Sequence, residues 1–146
     1  MDVLQLLKME LKERSVDLAS LLEQTPGPRS VATILARLRA HLSLETIYLL
    51  PELTAISFKN DLVVGKLESE LLVLHNLLAK LSEVDGGPED WRQLYQAFSV
   101  HAQTIEERAL PFMRQKITTA EREELFHVLQ DAKQDLIKAS SVEQVM

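Results

Sequence analysis

The sequence predicts an all-α fold: an up-down four-helix bundle with a short additional C-terminal helix. Apolar residues recur at spacings of three and four over nearly the whole chain, which is the periodicity of amphipathic helices. Only four Gly and five Pro occur among the 146 residues, and they cluster where this periodicity stops. No segment alternates with period two, so we expect no strand. The length suits one domain, which we place at residues 1–140, with 141–146 as a frayed tail.

The first three predicted helices are amphipathic. The first spans about residues 2–24, with leucines on one face and charged residues on the other. The second spans about 28–50 and repeats this pattern, except that its apolar stripe includes His41 and Glu45. The third spans about 59–83 and has a leucine seam on one face. These three helices are expected to bury their apolar faces against one another.

The fourth predicted helix begins at Pro88, since proline suits the first turn of a helix. Its apolar stripe continues through Phe112 and includes His101. Thr118 is followed by a Glu three residues later, the pattern of a capping box, and this predicts a last helix over about 119–139.

Composition excludes several classes of function. The chain has no cysteine, so disulfides, thiolate metal sites and cysteine nucleophiles are excluded. The net charge is −6 and the basic residues are scattered, so we expect no nucleic-acid partner. Uncharged runs fall short of the roughly 18 to 20 residues of a membrane span, and no signal-peptide cleavage site follows the N-terminus. We therefore expect a soluble cytoplasmic protein that does not act at a membrane.

Three polar residues on apolar stripes form the candidate site. His41 and Glu45 are four residues apart and share one helix face, which is the buried one. A buried carboxylate is costly unless it is paired, hydrogen-bonded or bound to a metal. His101 lies on the inward seam of the fourth helix, so we expect it to meet His41 and Glu45 across the bundle. The segments 41–53 and 101–113 also resemble each other: in both, acidic residues and then a proline follow a histidine.

These segments resemble the hemerythrin family, the HHE cation-binding domain. The residues that carry the resemblance are HLSLETIYLLPEL and HAQTIEERALPFM, together with LLKMELKER and ELLVLHNLLAKL in the first and third helices. The resemblance implies a four-helix bundle that holds two irons bridged by carboxylates, for oxygen binding or for iron and redox sensing. In this chain, His41, Glu45 and His101 match metal-ligand positions of the family.

Other ligand positions of the family are substituted here. Apolar residues stand where the resemblance implies ligands on the first, third and fourth helices: Leu11, Leu71 and Ile105. Glu106 and Glu107 come one and two residues later, and we expect them to point to solvent. His75, one turn beyond Leu71, is an additional candidate ligand, although a histidine beside an apolar seam is more ordinarily structural. Three matched residues do not suffice for two irons, so we do not expect an oxygen carrier.

Two interpretations of His41, Glu45 and His101 stay open. Two histidines and one carboxylate suit a single iron ion, which would sense or bind oxygen, nitric oxide or iron. Alternatively, the three residues form a metal-free hydrogen-bonded relic lined by apolar residues. We favour the relic, in a non-catalytic binding or regulatory protein, because no nucleophile, phosphate loop or paired carboxylates indicate an enzyme. A third hypothesis is a protein-interaction module with a metal-free core, acting on a protein partner or as a homodimer.

Overall fold

The computed structural model describes residues 2–23, 28–56, 62–83 and 87–145, and this part of the chain is helical with no strand. The all-α prediction is confirmed. Five helices follow one another: α1 (Val3–Glu23); α2 (Pro28–Leu44, a π-helical turn Glu45–Leu49, then Leu50–Ile56); α3 (Leu62–Glu83); α4 (Pro88–Thr104, a π-helical turn Ile105–Ala109, then Leu110–Lys116); and α5 (Thr119–Val145). Among the described residues, no helix is long and apolar enough to cross a membrane.

Two helix starts agree with the sequence prediction. Pro88 opens α4, preceded by Gly87, whose backbone N–H donates to Asp90. At the start of α5, the N–H of Thr118 donates to the Glu121 carboxylate, and the N–H of Glu121 donates to the Thr118 hydroxyl. This is the reciprocal capping box that the sequence predicts.

Helix ends differ more from the prediction. α2 continues through Pro51 to Ile56, and α5 continues to Val145, past the predicted end at 139. The predicted start of the third helix, at 59, lies outside the described residues. The division into a bundle of 1–140 and a frayed tail stays a prediction.

A π-helical turn precedes Pro51 in α2 and Pro111 in α4. The N–H of Leu50 donates to the carbonyl of Glu45, and the N–H of Leu110 donates to that of Ile105, five residues back. Proline has no N–H to donate, and its ring collides with the carbonyl four residues before it. A wider turn relieves that collision, so each helix passes its proline without ending.

The helices pack in a closed ring with α5 outside it. α1 packs against α2 and α4, and α3 packs against the same two helices, while α5 lies on α2 and α1. The interior is mostly leucine, with the fully buried ring of Phe98 among the largest core side chains. Each of α1 to α4 therefore turns one face toward a common interior, which is where the candidate site lies.

Candidate functional site

The three predicted site residues meet in the interior. His41, Glu45 and His101 are all buried. One oxygen of the Glu45 carboxylate lies 2.6 Å from His41 Nε2, and its other oxygen lies 2.8 Å from His101 Nε2. Both imidazoles therefore hold one carboxylate between them. The predicted convergence of α2 and α4 at this point is confirmed.

Two further carboxylates extend this cluster at its ends. On α1, Glu10 Oε2 lies 3.2 Å from His41 Nδ1, and Glu10 is buried. On α3, Glu70 Oε1 lies 3.0 Å from His101 Nδ1. Glu10, His41, Glu45, His101 and Glu70 thus alternate carboxylate and imidazole through the bundle, and we call this series the ion chain. Each of the four ring helices contributes to it.

The two ends of the ion chain are satisfied differently. Glu10 contacts the ammonium of Lys133 on α5 and lies 3.4 Å from a guanidinium nitrogen of Arg14. Glu70 accepts a hydrogen bond of 2.7 Å from the hydroxyl of Thr104. One end is therefore held by cations and the other by a neutral donor.

The geometry indicates the protonation states of the side chains in the ion chain. An ionised carboxylate only accepts hydrogen bonds, and each ring nitrogen of His41 and His101 lies beside a carboxylate oxygen. Both rings are therefore doubly protonated cations, each flanked by two anions. The charges of the ion chain and Lys133 balance, because three carboxylates face two imidazoliums and one ammonium.

The pKa values follow from this arrangement. Burial would lower the pKa of His101, but the charge of Glu45 and hydrogen bonds to Glu45 and Glu70 raise it to about 9. Burial also opposes the shift at His41, whose pKa Glu45 and Glu10 nevertheless raise above 6.5. Although burial would raise the pKa of Glu10, His41 and Lys133 lower it to about 2. The two imidazoliums likewise hold the pKa of Glu45 well below 4.5, against its burial.

This arrangement does not fit a metal ion as the side chains stand. A histidine must be neutral to ligate, and here every ring nitrogen faces a carboxylate. Within the described part of the chain, no group of three or more His, Asp or Glu side chains is placed to hold an ion. Two buried atoms, His41 Nε2 and Glu45 Oε2, are close but lack a well-aligned hydrogen bond. The 2.6 Å contact is therefore an ion pair without an aligned hydrogen bond, and a protonated ring nitrogen cannot ligate a metal.

The remaining sequence candidates lie outside the ion chain. His75 is half-buried, and its Nε2 lies 3.0 Å from the hydroxyl of Thr46. Glu106 and Glu107 are exposed, as predicted from their positions after Ile105. Three apolar residues at the substituted ligand positions are buried: Leu11, Leu71 and Ile105. The apolar lining that the sequence predicts is therefore present. It is incomplete, because the carboxylates of Glu10 and Glu70 stand next to Leu11 and Leu71 in the sequence.

Sequence reasoning missed Glu10 and Glu70, although a signal for both was present. Glu10 stands three residues after Leu7, and Glu70 stands three after Leu67, so each carboxylate lies on an apolar stripe, as Glu45 does. Each of them, like Glu45, therefore requires a partner if it is buried.

The ion chain also reveals a longer internal repeat. Thirteen positions of α1 and α2 with their connection carry the same residue sixty positions later, without a gap: Val3, Leu7, Glu10, Leu11, Leu18, Ala19, Leu21, Glu23, Gly27, Pro28, His41, Leu50 and Pro51. The contact of Glu10 with His41 Nδ1 corresponds to that of Glu70 with His101 Nδ1, each across 31 residues. Both π-helical turns begin four residues after the histidine. The helix pair α1–α2, which we call the first pair, is thus equivalent to the second pair, α3–α4.

One end of the ion chain reaches the surface. A cleft of about 600 Å³ is lined by α1, α2 and α5, and Glu10, Arg14, His41 and Lys133 contribute to its lining. Arg14 is tied into this region by Glu13 at 3.3 Å and Asp17 at 3.2 Å. Arg14 is thus paired within the cleft, and the cleft gives solvent a route to the Glu10 end of the ion chain.

Fold and site together define an all-helical protein with a repeated helix pair and a buried, charge-balanced ion chain. In comparisons with protein-family models, with curated proteins and with solved structures, nothing matches this chain significantly.

Proposed function

We propose that the chain is a non-catalytic binding or regulatory protein, a hemerythrin-like up-down bundle whose centre works without metal. The observation that carries this proposal is that carboxylate oxygens face both nitrogens of both buried imidazoles. The ion chain is then a structural element that fixes the arrangement of α1 to α4. Function belongs to the outer surface of the bundle.

The internal repeat supports the family relationship. Each helix pair supplies a carboxylate on its first helix, and a histidine, a π-helical turn and a proline on its second. Neighbours in the ring of α1 to α4 are consecutive in sequence or close the ring, and this order of contacts supports an up-down bundle. The resemblance that rests on short motifs at 41–53 and 101–113 thus extends over the two helix pairs.

Metal content and stability test the proposal. Protein purified from iron-supplemented medium is expected to carry far less than one equivalent of iron, zinc or manganese by elemental analysis. A chelator should leave its thermal unfolding midpoint unchanged, because a ligand that binds the folded state raises stability only when it is bound. If about one equivalent is found and His41→Ala removes it, the metal-free centre is wrong.

A mononuclear metal protein is the second candidate function. The favouring observation is that the Nε2 atoms of His41 and His101 face one carboxylate, while Glu10 and Glu70 hold the Nδ1 atoms. Carboxylates on the far nitrogen commonly orient metal-binding histidines. Metal would then have to displace the two Nε2 protons, so its uptake would increase steeply with pH. The elemental analysis, repeated at high pH with added Fe(II), separates the two candidates.

A further inference from the structure

The cleft at the Glu10 end of the ion chain has a charged lining that the second helix pair does not repeat. Five of its charged residues on α1 and α2 have an apolar residue sixty positions later: Lys12, Glu13, Arg14, Asp17 and Arg37. The second pair forms the same two helices with leucine, valine and alanine at these positions. The helix pair therefore forms without these charges, which favours a role for them in the cleft.

Positive charge prevails in the cleft, although the chain as a whole carries −6. The described residues of its lining include five cations, namely Lys12, Arg14, Arg37, Lys133 and protonated His41, against three carboxylates. Arg14 alone lies within 3.4 Å of all three carboxylates, those of Glu10, Glu13 and Asp17. The carboxylates are thus engaged inside the cleft, and the excess positive charge attracts an anion.

Arg37 is the cation of the cleft best placed to hold that anion. Its side chain is 53% exposed, and its contact with Asp17, at 3.6 Å, is longer than a hydrogen bond. A guanidinium presents five N–H donors and binds an acid group through two of them at once. Arg37 therefore keeps donors available for a ligand.

The surfaces beside Arg37 are apolar. On α2, Ala40 and Leu44 follow Arg37 at three and seven positions, so the three residues lie along one face of the helix, about 10 Å from end to end. Val16 of α1 and Ile137 of α5 also line the cleft, and they are 62% and 46% exposed. A hydrocarbon body lying next to Arg37 would remove this apolar surface from water.

We propose that the cleft is a binding site for a small organic anion with an apolar body, of the class of carboxylic or sulfonic acids that carry a hydrocarbon chain or ring. Arg37 pairs with the acid group, and the body lies against Ala40, Leu44, Val16 and Ile137. The volume of about 600 Å³ is in the range of small-molecule sites. This inference rests on the proposed function, a non-catalytic binding protein, and names the class of its ligand.

Isothermal titration calorimetry tests the site with two anions of this class, octanoate and anilinonaphthalene sulfonate. Octylammonium is the matched probe, since it has a similar hydrocarbon chain and the opposite charge. We expect saturable binding of one anion per chain, and binding of octylammonium that is weaker by about tenfold or more. If neither anion binds, or if octylammonium binds as tightly as octanoate, the proposal is wrong.

Arg37→Gln should weaken the binding of octanoate by about tenfold or more, because a charge-assisted hydrogen bond is lost. The matched control is Arg39→Gln, which changes another exposed arginine of α2 that does not line the cleft. This control should bind octanoate as the wild type does. Equal weakening in the two variants would contradict the assigned role of Arg37.

Ala40→Phe places a ring in the cleft and should abolish the binding of octanoate. Val100→Phe makes a substitution to the same residue at the equivalent position of the second pair and should not affect binding. Helical circular dichroism checks that both variants fold, and unchanged binding in a folded Ala40→Phe would overturn the proposed site. All titrations are run in chelator, so the anion site can fail while the metal-free centre stands, and the elemental analysis can fail while the anion site stands.

Discussion

Glu45 is the one residue of the ion chain that faces two imidazoliums, and each of its oxygens serves one ring. Its charge is therefore the main reason that the rings stay protonated. With Glu45→Gln, we expect the pKa of His101 to fall from about 9 toward its ordinary value of 6.5, because the neutral amide no longer attracts the ring charge. Nitrogen chemical shifts of the imidazoles, followed by NMR through a pH titration, measure this change.

The control for that titration is Glu106→Gln, which removes a carboxylate that is exposed and lies five residues after His101. The pKa of His101 should stay near 9 in this variant. An unshifted His101 in Glu45→Gln would mean that Glu70 alone maintains the ring charge.

The sequence predicts part of the site, and whether a residue is predicted depends on its position along the helix to within one residue. Glu45 was found because a carboxylate on an apolar stripe requires a partner. Glu10 and Glu70 are not predicted, because the family resemblance places the ligand positions at Leu11 and Leu71, one residue further along. Neighbouring helix positions differ by about 100°, and an apolar arc of that width includes both. Periodicity alone cannot decide which of two adjacent residues reaches the centre.

At the level of helices, the sequence predicted the number, order and type of the elements in the described part of the chain. The errors lie at helix ends, at Pro51 in α2 and at the C-terminal end of α5. The second helix was expected to end at 50, because a proline ordinarily breaks a helix. The π-helical turn of Glu45–Leu49 lets it continue to Ile56. This turn is defined by a backbone hydrogen bond over five residues, which does not change the spacing of the apolar residues. Periodicity therefore does not predict it.

Lys133 links α5 to the buried carboxylate of Glu10, and this contact yields a prediction. Lys133 is the only residue of α5 with a described contact to the ion chain, through Glu10. In Lys133→Met, Glu10 keeps Arg14 and His41 but loses a charge-assisted hydrogen bond, worth roughly 1.5 to 3 kcal/mol. Urea unfolding should show a loss of about that size. The control Lys138→Met changes an exposed lysine of the same helix and should stay within about 0.5 kcal/mol of the wild type. Equal losses in both variants would contradict a specific role for Lys133.

Over the whole molecule, the charged groups are divided between an acidic surface and a balanced interior. The net charge is −6, yet the ion chain and Lys133 together are neutral when both imidazoles are protonated. Titration of the interior therefore unbalances charges that are buried, where solvent compensates less than at the surface. The pH dependence of folding should report on this interior more than on the surface.

The free energy of unfolding is therefore expected to be highest between about pH 4.5 and 6.5. The pKa of Glu10 is lowered from 4.5 to about 2, so its contribution is complete above pH 4.5 and is lost as the pH falls toward 2. The pKa of His101 is raised from 6.5 to about 9, so its contribution is complete below pH 6.5 and is lost as the pH rises toward 9. His41, whose pKa is also raised, adds to the loss on the alkaline side.

Urea unfolding at pH 5.5, 7.5 and 9 should show a decline in the free energy of unfolding of a few kcal/mol, since one pKa unit corresponds to about 1.4 kcal/mol. His101→Gln should be less stable than the wild type at pH 5.5, and its free energy of unfolding should decline less between pH 6.5 and 9. If the free energy of unfolding of the wild type stays flat or rises over that range, the two imidazoles are neutral in the folded protein.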